Sequence, residues 1–108
     1  MNQYAIVIAD TNGIIQMWNA GAVALFGYAA KDAVGKKLDL VVPKSFRNAH
    51  WAGFGQAMST GNAHAEGTFF DAPVLCSDGE TKTFRGQLHV LRGENNMPIG
   101  AMAIFTVA

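Results

Sequence analysis

Two strand-like runs, a block of short helical patterns and three further strand-like runs predict an α+β domain, with helices packed on one face of an antiparallel sheet. Three observations carry this. Tyr4 to Ala9 and Ile14 to Trp18 are short apolar runs rich in Ile and Val, separated by Asn12-Gly13. Apolar residues then recur at helical spacing between Ala20 and about Ser59. After Asn62 the period returns to that of strands.

Each element has a local cause. Asn12-Gly13 favours positive φ, which closes the first two strands into a hairpin. Ala20 to Phe26 is a short helix that Gly27 is placed to stop. Ala29 to Val34 adds one more helical turn before Gly35. Pro43-Lys44-Ser45 opens the longest helical pattern, with Ser45 as expected N-cap and Thr60-Gly61-Asn62 as its end. Phe46, His50, Phe54 and Met58 recur every fourth residue there, so they are expected to share a face. Gly53 and Gly55 in the same helix are expected to allow close approach to the sheet, each costing up to ~1 kcal/mol against Ala. Thr68 to Leu75, Thr81 to Leu91 and Ile99 to Val107 read as a three-stranded meander, with turns at Ser77-Asp78-Gly79 and Gly93 to Asn96.

Composition sets the outer bounds. The chain's 108 residues, half of them apolar and 15% charged, predict one globular domain over residues 1–108. A formal net charge of zero gives no electrostatic case for nucleic acid or anionic membrane as partner. No apolar run reaches the roughly 20 residues of a spanning helix, and no secretory leader is visible. Cys76 is the only cysteine, so an internal disulfide is excluded and a reducing compartment, the cytoplasm, is expected. No Ser/His/Asp set, carboxylate pair or phosphate-binding glycine loop stands out, so an enzyme is not expected. Three His and one Cys have no paired spacing of the kind zinc sites use.

The run Trp18-Asn19-Ala20-Gly21-Ala22-Val23-Ala24-Leu25-Phe26-Gly27-Tyr28, followed by Ala33-Val34-Gly35-Lys36-Lys37-Leu38, resembles the opening half of a PAS domain. Phe46 to Phe54 with Met58-Ser59-Thr60-Gly61 resembles the long helix of many bacterial sensory-box PAS domains. Ala72 to Gly79 is similar to their following strand and Asp-Gly turn. The resemblance spans essentially the whole chain. It implies a PAS fold: a five-stranded antiparallel sheet, short helices and one longer helix on one face, and a cavity between the layers. It also implies a sensory module that holds a small molecule, haem b being one candidate, and signals through protein contacts. The chain departs from the family pattern in ending Phe105-Thr106-Val107-Ala108 where an Asp-Ile/Leu-Thr motif is common.

The resemblance makes His64, His50, Phe46, Phe54, Met58, Phe69 and Leu88 the candidate cavity residues. His64-Ala65-Glu66-Gly67 and Asp78-Gly79 reproduce the spacing around the haem ligand of oxygen-sensing haem PAS kinases. His64 would then be the one metal ligand, to haem iron. Against this, the Arg found there six residues after the His is Phe70, and Ala65-Glu66 would bring a carboxylate close to the ring. The other reading makes His64 an exposed residue of a polar turn, and the residues themselves favour it. His50 likewise reads first as a core imidazole with a local hydrogen bond, and second as a ligand contact. His89 is expected on the solvent side, opposite Phe84, Leu88 and Val90. The flavin branch that needs a helix Cys is set aside, since Pro43 to Arg47 has none. A second functional reading has no cofactor: an interaction module whose cavity is filled by its own Phe and Met side chains.

The last strand is apolar on both faces, with Met102 and Ile104 opposite Ala101, Ala103 and Phe105, and so is Tyr4 to Ala9. A sheet covered on one side should alternate with polar residues outward. The excess predicts a covered outer face, most simply a homodimer, with a signalling protein as the other partner class.

Overall fold

The computed structural model describes residues 4–63 and 65–107. The elements are β1 (Ala5–Ala9), β2 (Ile15–Trp18), α1 (Ala20–Phe26), α2 (Ala30–Ala33), α3 (Arg47–Thr60), β3 (Phe70–Leu75), β4 (Thr81–Arg92) and β5 (Pro98–Val107). Single 3₁₀ turns occupy Leu38–Leu40, Lys44–Phe46 and Glu94–Asn96. The five strands form one antiparallel sheet in the order β2-β1-β5-β4-β3, so the chain's first and last strands lie side by side at its centre. The expected α+β class and five-stranded sheet are what the chain forms.

The hairpin turn closes as its residues dictate. Asp10 Oδ1 accepts from the backbone N–H groups of Asn12 (2.9 Å) and Ile14 (3.0 Å), and Gly13 takes φ +77°. Asn19 then joins hairpin to helix. Its Oδ1 accepts from Ala22 N, capping α1, and from Ile6 N, while its Nδ2 donates to the Tyr4 carbonyl. Gly21 lets the helix rest on β1, because a Cβ there would collide with the Tyr4 carbonyl. Gly27 ends α1 in the left-handed region at φ +91°.

The start of α3 differs from expectation. Ser45 is not its N-cap: Lys44–Phe46 winds as a 3₁₀ turn, and the helix begins at Arg47 with no side-chain cap. Pro43 supplies the reason, since its carbonyl accepts from Phe46 N and tightens the entry before the first α-helical bond. β3 begins at Phe70, two residues later than the pattern suggests, because Thr68 is drawn into a turn with Ala65. Residues Glu66 and Gly67 run beside the part of β4 that β3 does not reach. Gly67 N donates to Leu88 O, and the Glu66 carboxylate accepts from Val90 N at 2.8 Å.

Strand register divides the residues between two faces. Ala5, Val7 and Ala9 pair with Phe105, Ala103 and Ala101, and the last two strands align Gly86 with Phe105 and Leu88 with Ala103. These face the helices. Ile6 with Ile104 and Ile8 with Met102 face away. The packed core gathers under α1. Phe26, 1% exposed, meets Trp18, Phe84 and Phe105 at ring-centroid distances of 5.7, 5.1 and 5.4 Å. Ile15, Ala22, Ala33 and Val74 complete it. The other half of the same face, under α3, is not filled.

Candidate functional site

A cavity of about 470 Å³ lies between α3 and the sheet. Small side chains make the room. Ala9, Ala101 and Ala103 form the floor, and Ala49, Gly53 and Ala57 line the roof. Gly53 and Gly55 therefore do not serve close packing: a Cβ built on either would meet no atom within 4 Å. Nor is the cavity filled by its own Phe and Met side chains, as the cofactor-free reading requires. At the rim Phe46, Phe70 and Leu88 line the opening while remaining 48%, 40% and 42% exposed. No Asp, Glu, Lys or Arg is among the described residues lining it.

Of the candidate residues, His50, Phe46, Phe54 and Leu88 line this cavity. Met58 and Phe69 do not, for physical reasons. A residue every four positions advances 400° per step, so the row starting at Phe46 has drifted about 120° by Met58. The stripe that stays on the cavity runs Phe46, Ala49, His50, Gly53, Phe54, Ala57. Phe69 precedes β3, 56% exposed, with the Arg85 guanidinium 4.7 Å from its ring centroid. Phe70, sharing a face with Ala72 and Val74, takes the wall position instead. Alternation could have identified it, because Phe69 is in phase with Asp71 and Pro73. His64 lies outside the described residues.

His50 is the informative polar group. Its ring stands edge-on to Trp51 (4.8 Å between centroids) and stacks at 28° on Phe54 (5.9 Å). The expected local hydrogen bond is missing: Nδ1 is closed off from solvent and has no partner among the described residues. Burial lowers the His50 pKa below its ordinary value, with Asp39 pulling weakly the other way. Asp39 is itself engaged, accepting from Trp51 Nε1 at 2.7 Å and lying 3.9 Å from Arg47 Nε. The Asp39 contacts hold α3 to the Leu38–Leu40 turn, and the Trp51 ring seated over Gly13 holds it to the first hairpin.

The unfolded chain takes up a proton on His50 as pH falls through about 6.5, before the folded state does, so stability drops below that pH. Denaturant midpoints measured at pH 7.5 and 5.5 should fall more for the unmodified protein than for His50→Phe. An equal fall in both would mean that His50 is not held neutral. Glu66 and Asp78 act in a separate, more acidic window. Hydrogen bonds from Arg92 and Val90 N hold Glu66 below the usual carboxylate range, and bonds from Glu80 N and Lys82 do so for Asp78.

Glu66 and Cys76 lie elsewhere. Glu66 does not point into open space beside the cavity but pairs with Arg92 at 3.2 Å. Cys76 is buried in the packed core beside the Leu25 carbonyl, where burial pushes its thiol pKa up. His89 and Met102, paired across the sheet, both border the cavity although their strand phase is the outward one, and His89 Nε2 lies 3.2 Å from Gln87 Oε1. Among the described residues no group of His, Cys, Asp and Glu could hold a metal ion, and no helix is long and apolar enough to cross a membrane.

A helix-roofed cavity on a 2-1-5-4-3 antiparallel sheet defines a small α+β domain. The family model described as PAS fold matches residues 3–107, and the chain belongs to that family. Among solved structures, a PAS domain from Colwellia psychrerythraea superposes with TM-score 0.82 at 23% identity, covering 97% of this chain and 86% of that one. The PAS domain of the Cronobacter turicensis quorum-sensing receptor RpfR, in complex with C12:0, superposes with TM-score 0.76 at 16% identity over 97% and 93%. In sequence, the chain is 29% identical over 63 residues to the sensor protein FixL of Bradyrhizobium diazoefficiens, covering 58% of this chain and 12% of FixL. It is 28% identical over 76 residues to an uncharacterized protein of Azorhizobium caulinodans, covering 69% of this chain and 10% of that protein. The chain thus spans about a tenth of the length of these curated relatives. It is a PAS sensory domain, a kind of module that is typically not enzymatic.

Proposed function

We propose that this domain senses a small, mainly apolar molecule bound between α3 and the sheet, and passes the signal on through protein contacts. The observation that carries this reading is the unfilled apolar cavity. Its 470 Å³ falls within the range of ligand sites and would hold on the order of fifteen non-hydrogen atoms at about 30 Å³ each. The RpfR domain, built on the same fold, is described in complex with C12:0.

Haem fits the described residues less well. Its propionates need cationic or polar partners, and no Lys or Arg lines the cavity. The position of the Arg in the oxygen-sensing haem branch holds Phe70 at the rim. The test is to express the protein with haem supply, record its absorbance, and analyse denatured extracts by mass spectrometry. A co-purifying apolar molecule without a Soret band is expected. A stoichiometric Soret band lost in His64→Ala would replace this reading with haem sensing.

The output surface is the outward sheet face, where Ile6, Ile8, Met17, Met102 and Ile104 form an apolar field. A second copy covering it would bury what remains exposed of these side chains, each gaining part of the about 1.5–3 kcal/mol that full burial brings. Light scattering at micromolar concentration should give a dimer, and Ile104→Glu a folded monomer, since each copy would place a charge in the interface. A monomer in the unmodified protein would overturn this output.

A further inference from the structure

We propose that the cavity selects an uncharged, mainly apolar molecule bearing an oxygen acceptor, such as a ketone or ester, held by Nε2–H of His50. This rests on the small-molecule reading above and sharpens it. Three features of the walls lead to it. First, no Asp, Glu, Lys or Arg is among the described lining residues, so a carboxylate or ammonium would lose its hydration without gaining a permanent counter-charge.

Second, the two ring nitrogens of His50 are not equivalent. Nδ1 is shut in without a partner among the described residues. A neutral imidazole carries its proton on one nitrogen only, and a buried N–H without an acceptor is the costlier orphan. The proton therefore belongs on Nε2, which makes that nitrogen a donor and leaves Nδ1 as a bare lone pair. With Nδ1 closed off and the ring lining the cavity, Nε2 is the nitrogen a ligand can reach. Asp39, the carboxylate that acts on His50, is already occupied by Trp51 and Arg47 and is not hydrogen-bonded to the imidazole.

Third, the ring is set in place before any ligand arrives. Contacts with Trp51 and Phe54 fix its plane, so little side-chain freedom is lost on binding. His89, the other imidazole among the lining residues, is engaged with Gln87 Oε1 at 3.2 Å, which leaves His50 as the preset donor. Such a donor in an apolar chamber selects by what it leaves unpaired: a molecule lacking an acceptor forfeits the bond, and a charged one brings more than the site can neutralise.

The experiment uses three probes in NMR titrations of the protein at pH 7.5: 2-nonanone, nonanoate and propylbenzene. 2-Nonanone should bind with shifts centred on the cavity residues and at least tenfold more tightly than nonanoate. His50→Phe should weaken 2-nonanone by about three- to tenfold, the worth of one hydrogen bond, and leave propylbenzene unchanged. His50→Gln, which keeps a donor, should hold 2-nonanone within about twofold. Nitrogen shifts of the unmodified imidazole give a readout that needs no variant, and should show the proton on Nε2. Nonanoate binding as tightly as 2-nonanone, a proton on Nδ1, or 2-nonanone indifferent to His50→Phe would each overturn the acceptor assignment while leaving the sensor reading in place. If none of the probes moves the cavity resonances, both fall together.

Discussion

Phe26→Ala should cost about 3–5 kcal/mol and leave little of the fold at 37 °C. Phe26 is 1% exposed, and three aromatic rings from β2, β4 and β5 converge on it. Alanine would remove the centre of that cluster, and the rings cannot close the void because each belongs to a strand fixed by its ladder. Domains of this size have stabilities of about 5–15 kcal/mol, so the loss takes from about a fifth to the whole of the total. Urea unfolding followed by circular dichroism at pH 7.5 measures it. Phe46→Ala is the contrast: that ring is 48% exposed at the cavity rim and should cost less than about 1 kcal/mol. Near-equal losses at the two sites would mean that the core is not centred under α1.

The two phenylalanines look alike in the sequence, and this marks what could and could not be read there. Asn12-Gly13, Gly27 and Gly61 announced their turns because each needs a positive φ that few other residues adopt at low cost. The α+β order was legible for the same local reason: the hydrophobic period switches at about Asn62. The entry to α3 was not, because the choice between Ser45 as a cap and a 3₁₀ turn from Pro43 depends on how the preceding 3₁₀ turn docks. The adjacency of β1 and β5 depends on contacts about a hundred residues apart, and no local pattern specifies them.

The site was legible in part. A four-residue repeat is close to the helical period over two turns and wrong over three, which is why Phe46, His50 and Phe54 line the cavity and Met58 does not. Phe69 was an error of phase, since Phe70 alternates with the buried Ala72 and Val74. What the sequence concealed was emptiness. Ala9, Ala101, Ala103, Ala49 and Ala57 carry no chemistry of their own, and read one at a time they suggest ordinary small core residues. Only when the fold sets three of them opposite the others, with Gly53 between, does their missing volume add up to a chamber.

That same missing volume yields the sharpest separation of binding from stability. Gly53→Leu should abolish uptake of 2-nonanone, weakening it more than tenfold, while the melting temperature stays level or rises. The leucine meets no atom at its Cβ and extends into the chamber. It gains up to about 1 kcal/mol in helix propensity over glycine. Burying its side chain against the alanine floor adds part of the about 1.5–3 kcal/mol that full burial brings. Gly55→Leu is the matched control. It has the same open space at Cβ and the same propensity gain, but residue 55 does not line the chamber, so stability should rise with binding unchanged. Calorimetric melts and NMR titrations of both variants decide the point. If Gly53→Leu binds 2-nonanone like the unmodified protein, the space beneath α3 is not where the domain meets its ligand.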